Sequence, residues 1–416
     1  MQNPNGQPKP TINQLNMKTI LHTILAATLL TVGLNVAAAD KGNAKKSAAG
    51  RASATAPLPT GRRLREIVAE KYPQGNVFIA AAINGPMTNP GIDFEILNRE
   101  FSATTPENDF KQHWIHPEPG HIWRWERGDA YLKNCEAHQQ LVRIHGPISP
   151  QCSPWARDDS RTAAELRQVM NEFLPALCKR YNKNPVVRWM DVVNETVERD
   201  GTWFGPKPGN DKWENPWTIL GYDNDKNQTP LYIQEAFVIA NRDAKNLKLV
   251  YNQHTKLERP GMEKVKETIL YLRAKGLRVD ALGWQAHIDV GWEKVPGNLE
   301  YLSELIAWAH ANRLEFHVTE NNVKLPKVAQ PDENERAAAT FAAIVRALLE
   351  HRGTGVVAWN CWRMRDYTGE RNERLGLLFA EDGSPNKAYY AVQELLQNPP
   401  PPAKPQPDMI KGNVKQ

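Results

Sequence analysis

The chain has 416 residues, 41% of them hydrophobic, a formal net charge of +5 and four cysteines, so it can bury a sizeable core in one large domain or in two or three smaller ones. The positive excess lies at the ends: residues 1–39 carry +2, 40–60 carry +3 and 398–416 carry +2, which leaves 61–397 at −2. That balance argues against a nucleic-acid partner, which requires a basic folded region.

In chain order, a polar start leads to Met17-Lys18, an apolar run from Thr19 to Val36, and Ala37-Ala38-Ala39 before Asp40. Basic start, apolar middle and small residues at the cut make residues 1–39 a signal peptide, with Met17 as an alternative start. The run approaches the roughly 18 to 20 residues of a membrane span. Threonines, a histidine and an asparagine interrupt it, so the reading is cleavage, a secreted or periplasmic protein, and no membrane association afterwards. Residues 40–60, rich in Ala, Ser and Lys, read as a flexible linker, and 398–416 as a proline-rich solvated tail. Between them, 61–397 reads as a single domain.

That domain repeats one pattern: a short β-branched or apolar run, a polar loop, then a stretch with helical spacing. Strands are expected at Val77 to Ile83, Phe101 to Thr105, Gln140 to Ile144, Val186 to Val193, Leu247 to Tyr251, Ala281 to Gln285, Leu314 to Thr319 and Gly355 to Trp359. The clearest helices are Arg161 to Tyr181, Leu231 to Asn246, Gly261 to Lys275, Leu299 to Asn312 and Glu333 to Arg352; in one of them Leu299, Leu302, Leu305, Ile306 and Ala309 recur at three and four. Eight βα units close an α/β barrel, the (β/α)8 or TIM barrel. A doubly wound open sheet also alternates, but Asn84-Gly85-Pro86 after the first strand is no glycine-rich phosphate loop.

A barrel builds its active site at the carboxyl ends of its strands. Those ends carry Asn84, Glu107 with Asn108, His145, Asn194 with Glu195, Asn252, His287, Glu320 and Trp359. Amides, imidazoles and carboxylates hydrogen-bond the hydroxyl rim of a sugar, and Trp offers a flat apolar surface to its C–H faces. Of thirteen tryptophans, Trp203, Trp213, Trp217, Trp284, Trp359 and Trp362 fall in or near the expected top loops, and Trp359 and Trp362 are the expected sugar contacts. Splitting a glycosidic bond with retention requires one protonated carboxyl and one ionised carboxylate about 5 to 5.5 Å apart. Glu195 and Glu320 fit those roles as acid/base and nucleophile. Trp189 and Val193 are expected to give Glu195 an apolar flank, and His287 to hold Glu320 ionised. Cys135, Cys152, Cys178 and Cys361 show no CxxC or His-rich pattern, so no metal is expected, and their pairing cannot be read from spacing.

These words carry a resemblance. Trp189-Met190-Asp191-Val192-Val193-Asn194-Glu195 resembles the acid/base strand of glycoside hydrolase family 10, Phe316-His317-Val318-Thr319-Glu320 its nucleophile strand, and Gly283-Trp284-Gln285-Ala286-His287 the G-x-Q-x-H strand whose His orients the nucleophile. Thr105-Pro106-Glu107-Asn108-Asp109-Phe110-Lys111 is similar to T-P-E-N-x-M-K, and Leu378-Phe379 through Pro385, Lys387, Ala388 and Tyr389 to the closing segment. The resemblance runs from about Val77 to Leu396. It implies a (β/α)8 endo-β-1,4-xylanase without a cofactor, with Glu107, Asn108 and Lys111 on the sugar two units from the cut; His145 is expected beside them on the glycone side, Asn194 on the 2-hydroxyl, and Gln285, Asn252, Trp359, Trp362 and Arg363 as further substrate contacts read from this chain's own strand ends.

Three departures stand out. The third strand continues as Ile144-His145-Gly146-Pro147-Ile148-Ser149-Pro150 where the family has G-H-T-L-V-W-H. Asn321-Asn322 follow the nucleophile in place of L-D, and Trp359-Asn360-Cys361-Trp362-Arg363 stands where W-G-V-T-D is usual. Segments Thr202 to Asn215 and Asp223 to Pro230 are enlarged top loops. The reading is therefore a monomer that cuts a polysaccharide, xylan first. Another substituted or anionic β-glycan is the alternative, motivated by Arg363 and Arg365, and a binding protein without turnover stands third.

Overall fold

The computed structural model describes residues 57–84, 91–209, 213–369 and 373–403. The expected signal peptide, residues 40–56 of the expected linker and the tail beyond 403 lie outside the described residues. Eight parallel strands form the centre: β1 (Val77–Ile83), β2 (Ala103–Pro106), β3 (Leu141–Ile144), β4 (Val187–Asn194), β5 (Lys248–Gln253), β6 (Ala281–Trp284), β7 (Glu315–Leu325) and β8 (Val357–Trp362). Each pairs with the next, and β8 returns to β1 in a register from Val77↔Val357 to Ala82↔Trp362. Closure rules out the open doubly wound sheet.

The five expected helices are present as Ala163–Tyr181, Leu231–Asp243, Arg259–Ala274, Asn298–Ala311 and Glu333–Glu350. Thr162 starts the first by accepting from the Glu165 backbone N–H, while the Glu165 carboxylate accepts from the Thr162 N–H, which satisfies two of the N–H groups a helix start leaves open. Buried Leu302, Leu305, Ile306 and Ala309 show the helical period facing the barrel.

Period-two alternation divides each strand between two cores. Val77, Ile79 and Ala81 of β1 join the large cluster between barrel and helices. Ala80, Ala103, Trp189, Val250 and Ala281 form a separate cluster inside the barrel, with Phe78 edge-on to Trp189 at 5.0 Å. Three alanines and a valine leave the volume that one indole fills, which keeps the interior close-packed. Trp189 therefore packs six residues before Glu195, inside the barrel. Of the two residues expected to flank that carboxyl, Trp189 is spent on the inner cluster.

The ends of the domain are tied to each other. Buried Glu100 accepts from Arg99 Nε at 2.8 Å, from Tyr389 Oη at 2.8 Å and from the Leu64 N–H at 3.2 Å, joining the first helix, Leu64–Lys71, to the last, Lys387–Gln397. The described start of the expected solvated tail is packed as well: Pro400 is buried, its carbonyl accepts from Arg352 Nη1 at 2.8 Å, and the Ala403 N–H donates to the Glu350 carbonyl at 2.8 Å.

Above the barrel rim β7 runs on past Glu320. Val323 to Leu325 pair with Arg374–Gly376 on one side, and Asn322 to Lys324 with His287–Asp289 on the other. This overhanging sheet stands as one wall of the mouth and fixes His287 opposite Asn322.

Candidate active site

A cavity of about 380 Å³ opens at the carboxyl ends of the strands, with Glu107, Lys111, His145, Glu195, Gln285, His287, Glu320 and Trp362 in its wall. Eight of the thirteen residues expected at the site thus meet there. Lys111, expected on the glycone side, donates to Asn108 Oδ1 at 3.2 Å and to Gln151, and its stem lies against Gly146. Burial lowers the Lys111 pKa, and the carboxylates of Glu320, Glu107 and Glu195 oppose that shift.

Glu195 and Glu320 are 9% and 8% exposed and sit in unlike surroundings. Glu195 follows β4 in a left-handed backbone conformation, φ 58°, costly for a residue with a Cβ. Its Oε1 accepts from Gln285 Nε2 at 2.8 Å and from Asn194 Nδ2 at 3.2 Å, and its buried Oε2 has no partner among the described residues. Glu320 Oε1 accepts from Asn252 Nδ2 at 3.2 Å and faces His145 Nε2 at 3.5 Å, while Oε2 faces His287 Nε2 at 3.3 Å. Burial alone would raise the Glu320 pKa; His145, His287 and Lys111 outweigh it and bring the carboxyl down to about 2. Burial likewise works against the charge on His287, but the bond to Glu320 wins and raises its pKa above the ordinary value.

Asn194 and Asn252 couple the two carboxylates. Asn194 Oδ1 accepts from Asn252 Nδ2 at 2.8 Å and from Gln285 Nε2 at 3.1 Å, and Thr319 Oγ1 donates to Asn252 Oδ1 at 2.8 Å. The Asn194 oxygen is therefore filled, and one N–H of its amide remains for a ligand hydroxyl. Asn194 points inward because the β4–β5 register shifts between Asp191 and Val193.

Beneath them runs a chain the sequence did not expose. His145 Nδ1 meets Asp191 Oδ2 at 2.8 Å, and Asp191 Oδ1 accepts from Arg143 Nη1 at 2.9 Å. Arg143 Nη2 donates to His317 Nδ1 at 2.6 Å, and His317 Nε2 faces Glu315 Oε2 at 3.0 Å. A guanidinium cannot accept, so the His317 proton resides on Nε2 and is given to Glu315. Burial and Arg143 lower the His317 pKa, which keeps the ring neutral, and the Glu315 carboxyl lies at about 2 because His317 and Trp189 outweigh the cost of burying it.

The family model described as "Glycosyl hydrolase family 10" matches residues 66–395. The chain belongs to that family. It is 28% identical over 308 residues to endo-1,4-beta-xylanase A of Humicola insolens, covering 72% of this chain and 75% of that protein, and 26% identical to endo-1,4-beta-xylanase A of Caldicellulosiruptor saccharolyticus, covering 73% and 88%. Among solved structures it is similar to xylanase 10B of Thermotoga petrophila in complex with xylobiose, with a TM-score of 0.67 and 25% identity over 82% of this chain and 99% of that one. The chain is thus a family 10 glycosidase on a TIM barrel.

Within this family 10 barrel, one expected contact is corrected and a second is placed elsewhere. Trp359 is 3% exposed in the middle of β8, where its indole donates to Asn321 Oδ1 at 3.0 Å and packs edge-on to Phe341; it faces the helices and not the sugar. Arg363 lies outside the catalytic cavity, in a neighbouring one. Trp217 and Trp284 are also buried, their indoles donating to the Ser149 and Thr255 carbonyls at 2.9 Å. Trp213, 43% exposed, and Trp362 are the tryptophans in the cavity wall, joined there by Gln151 and His254, which no motif indicated. The asparagines that depart from the family pattern are structural in part: Asn321 Nδ2 donates to the Ala286 carbonyl at 3.0 Å and Asn360 Nδ2 to Thr105 Oγ1 at 2.7 Å. The four cysteines are buried and unpaired.

Two outcomes follow from this geometry. Glu320 has a folded pKa of about 2 against the ordinary 4.5, so its ionised form adds stability that is full above pH 4.5 and lost as pH falls through 2. Equilibrium unfolding of Glu320→Gln between those values should show a slope shallower than wild type by about one proton; equal slopes would refute the assigned ionisation. At Gly283, an added Cβ would overlap Asn252 Oδ1 and lie 3.0 Å from Thr319 Cγ2. Gly283→Ala should displace the Asn252 amide and lower kcat by about a hundredfold, the cost of a displacement near 1 Å, in a protein that still melts cooperatively. Unchanged kcat would show that Asn252 does not set the geometry.

Proposed function

We propose that this chain is an exported, retaining endo-β-1,4-xylanase in which Glu195 is the general acid/base and Glu320 the nucleophile. The observation that carries the reading is the unlike setting of two carboxyls in one cavity: Glu320, its pKa brought down to about 2, between two imidazoles, and Glu195 with one oxygen bonded by two amides and the other without a partner among the described residues. Relatives named xylanases, one of them solved with xylobiose, support xylan as the polymer.

In the first step Glu195 gives its proton to the leaving glycosidic oxygen while a Glu320 oxygen attacks the anomeric carbon, breaking that C–O bond and forming a glycosyl ester. In the second, Glu195 takes a proton from water, the hydroxide oxygen bonds to the anomeric carbon, and Glu320 leaves as carboxylate. His287 and His145 hold Glu320 ionised before attack and receive it afterwards. The remaining Asn194 N–H binds the 2-hydroxyl of the sugar under attack, where a bond that tightens in the transition state contributes most. Glu107, Asn108 and Lys111 hold the glycone side, with Gln285 and Asn252 setting the two carboxylates and Trp362 meeting a sugar face.

Residues 1–39 act in this reading as a cleaved export signal, 40–60 as a linker and 61–397 as the catalytic domain of a secreted or periplasmic monomer. Lys18, the apolar run after it and Ala37-Ala38-Ala39 support it, as does the family match ending at residue 395. Among the described residues no helix is long and apolar enough to cross a membrane.

The roles are separated by two variants on two substrates. On β-1,4-xylan, Glu195→Ala should lose about 10²- to 10⁴-fold in kcat, the usual worth of a general acid. On an aryl xyloside whose phenolate leaves unaided it should still form the glycosyl ester in a rapid burst. Glu320→Ala should lose both. Identical losses by the two variants on both substrates would contradict the division of roles, and a wild-type protein inert on xylan would refute the substrate.

A further inference from the structure

Beside the catalytic cavity lies a second one of similar size, about 380 Å³, lined by Asp93, Arg363, Arg365, Asp366, Tyr367 and Glu381 among others. Most charges in it are already matched. Arg365 donates from Nε and Nη2 to the two oxygens of Asp93 at 2.7 and 3.0 Å, and from Nη1 to the Glu381 carbonyl. Asp366 accepts from the Leu377 N–H at 2.8 Å and from Asn386 Nδ2 at 3.0 Å. Arg365, one of the two arginines that motivated an acidic substrate, is thereby consumed within the fold.

Arg363 is different. Its guanidinium lies over the Tyr367 ring at 4.2 Å and over the Trp362 ring at 4.7 Å, and it makes no hydrogen bond or ion pair among the described residues. Its Nε is buried and has no hydrogen-bond partner among the described residues, which leaves the two outer nitrogens as the donors a ligand can reach. The backbone there is held in the left-handed region, φ 60°, with the Arg363 N–H donating to the Ala82 carbonyl at 2.9 Å, so the side chain is aimed by a rigid strand end. A planar guanidinium clamped on aromatic faces loses little rotamer freedom on taking a carboxylate by two parallel bonds. Trp362 connects this site to the chemistry: it belongs to the catalytic cavity wall, meets His287 edge-on at 5.5 Å, and carries the Arg363 guanidinium on its ring.

We propose that Arg363 receives the carboxylate of an acidic sugar branch on the glycan held in the catalytic cavity, so that the enzyme favours xylan bearing uronic acid substituents. The proposal rests on the xylan reading and adds a specificity-determining residue to it. The backbone sugar meets Trp362, and a branch passing the indole edge brings its carboxylate to the stacked guanidinium. A neutral branch finds there a cation it cannot pair.

The test compares glucuronate-substituted xylan with the same polymer after reduction of its carboxylates to alcohols, reading the ratio of the two kcat/KM values. Wild type should prefer the acidic polymer by about tenfold or more, the scale of a charge-assisted hydrogen bond, and the preference should shrink with added salt. Arg363→Gln should bring the ratio to near one and Arg363→Lys should restore part of it, a point charge without the fork. Because both polymers report on the same folded protein, a loss of fold lowers both rates and leaves the wild-type ratio, which would count against Arg363 as the reader. A ratio near one in wild type, or an unchanged ratio in Arg363→Gln, overturns the proposal and leaves the xylan reading standing. Failure of wild type to cut either polymer overturns both.

Discussion

Everything at the mouth of this barrel depends on keeping one carboxylate ionised where water is scarce. Glu320 is nearly buried, and an unpaired buried charge neutralises itself by shifting its pKa. Here it does not, because His145, His287, Asn252 and Lys111 surround it with positive charge or donors. None of these could serve unless it were held in its turn. His145 is fixed by Asp191, Asp191 by Arg143, and Arg143 rests on a His317 whose other nitrogen faces Glu315. Such networks stabilise only when every member is satisfied, which is why the polar chain reaches down to Trp189 and the apolar floor of the barrel.

The fold makes room for this at particular points. Small residues on β1, β2 and β6 admit Trp189, which seals the interior below the polar layer. A register shift in β4 lets Asp191 and Asn194 both reach inward, and the absence of a side chain at Gly283 lets Asn252 cross to Glu320. Glu195 is placed by a left-handed backbone that its neighbours over-determine: its N–H donates to the Asn252 carbonyl at 3.2 Å. Strain of this kind is tolerated where the surrounding packing fixes the conformation.

The strand ends were legible in the sequence because period-two runs stop where polar residues begin, and that alone gathered Glu107, His145, Asn194, Glu195, Asn252, His287 and Glu320. The end of β8 misled, since its apolar run continues to Trp362 and alternation places Trp359 with Val357 and Cys361 toward the helices. Trp359 and Trp362 are an odd number of residues apart, so a regular strand could not have sent both to the sugar. Asp191 lies inside the acid/base strand motif, but its partners Arg143 and His145 lie on another strand, and only register brings them together. Trp213 and Gln151 come from loops whose course no local pattern dictates. Pro400 looked solvated because composition cannot show that Arg352 and Glu350 offer backbone partners to a proline-rich segment.

The central claim is covalent: Glu320 attacks carbon, and Glu195 only moves protons. Incubation with a 2-deoxy-2-fluoro xylobioside bearing an activated leaving group slows hydrolysis of the glycosyl ester, so that digestion and mass spectrometry can locate the sugar. The sugar should be on the peptide containing Phe316-His317-Val318-Thr319-Glu320, at Glu320, and natural substrate should release products that are initially β. A label on Glu195, or products of inverted configuration with no label at all, would contradict the account.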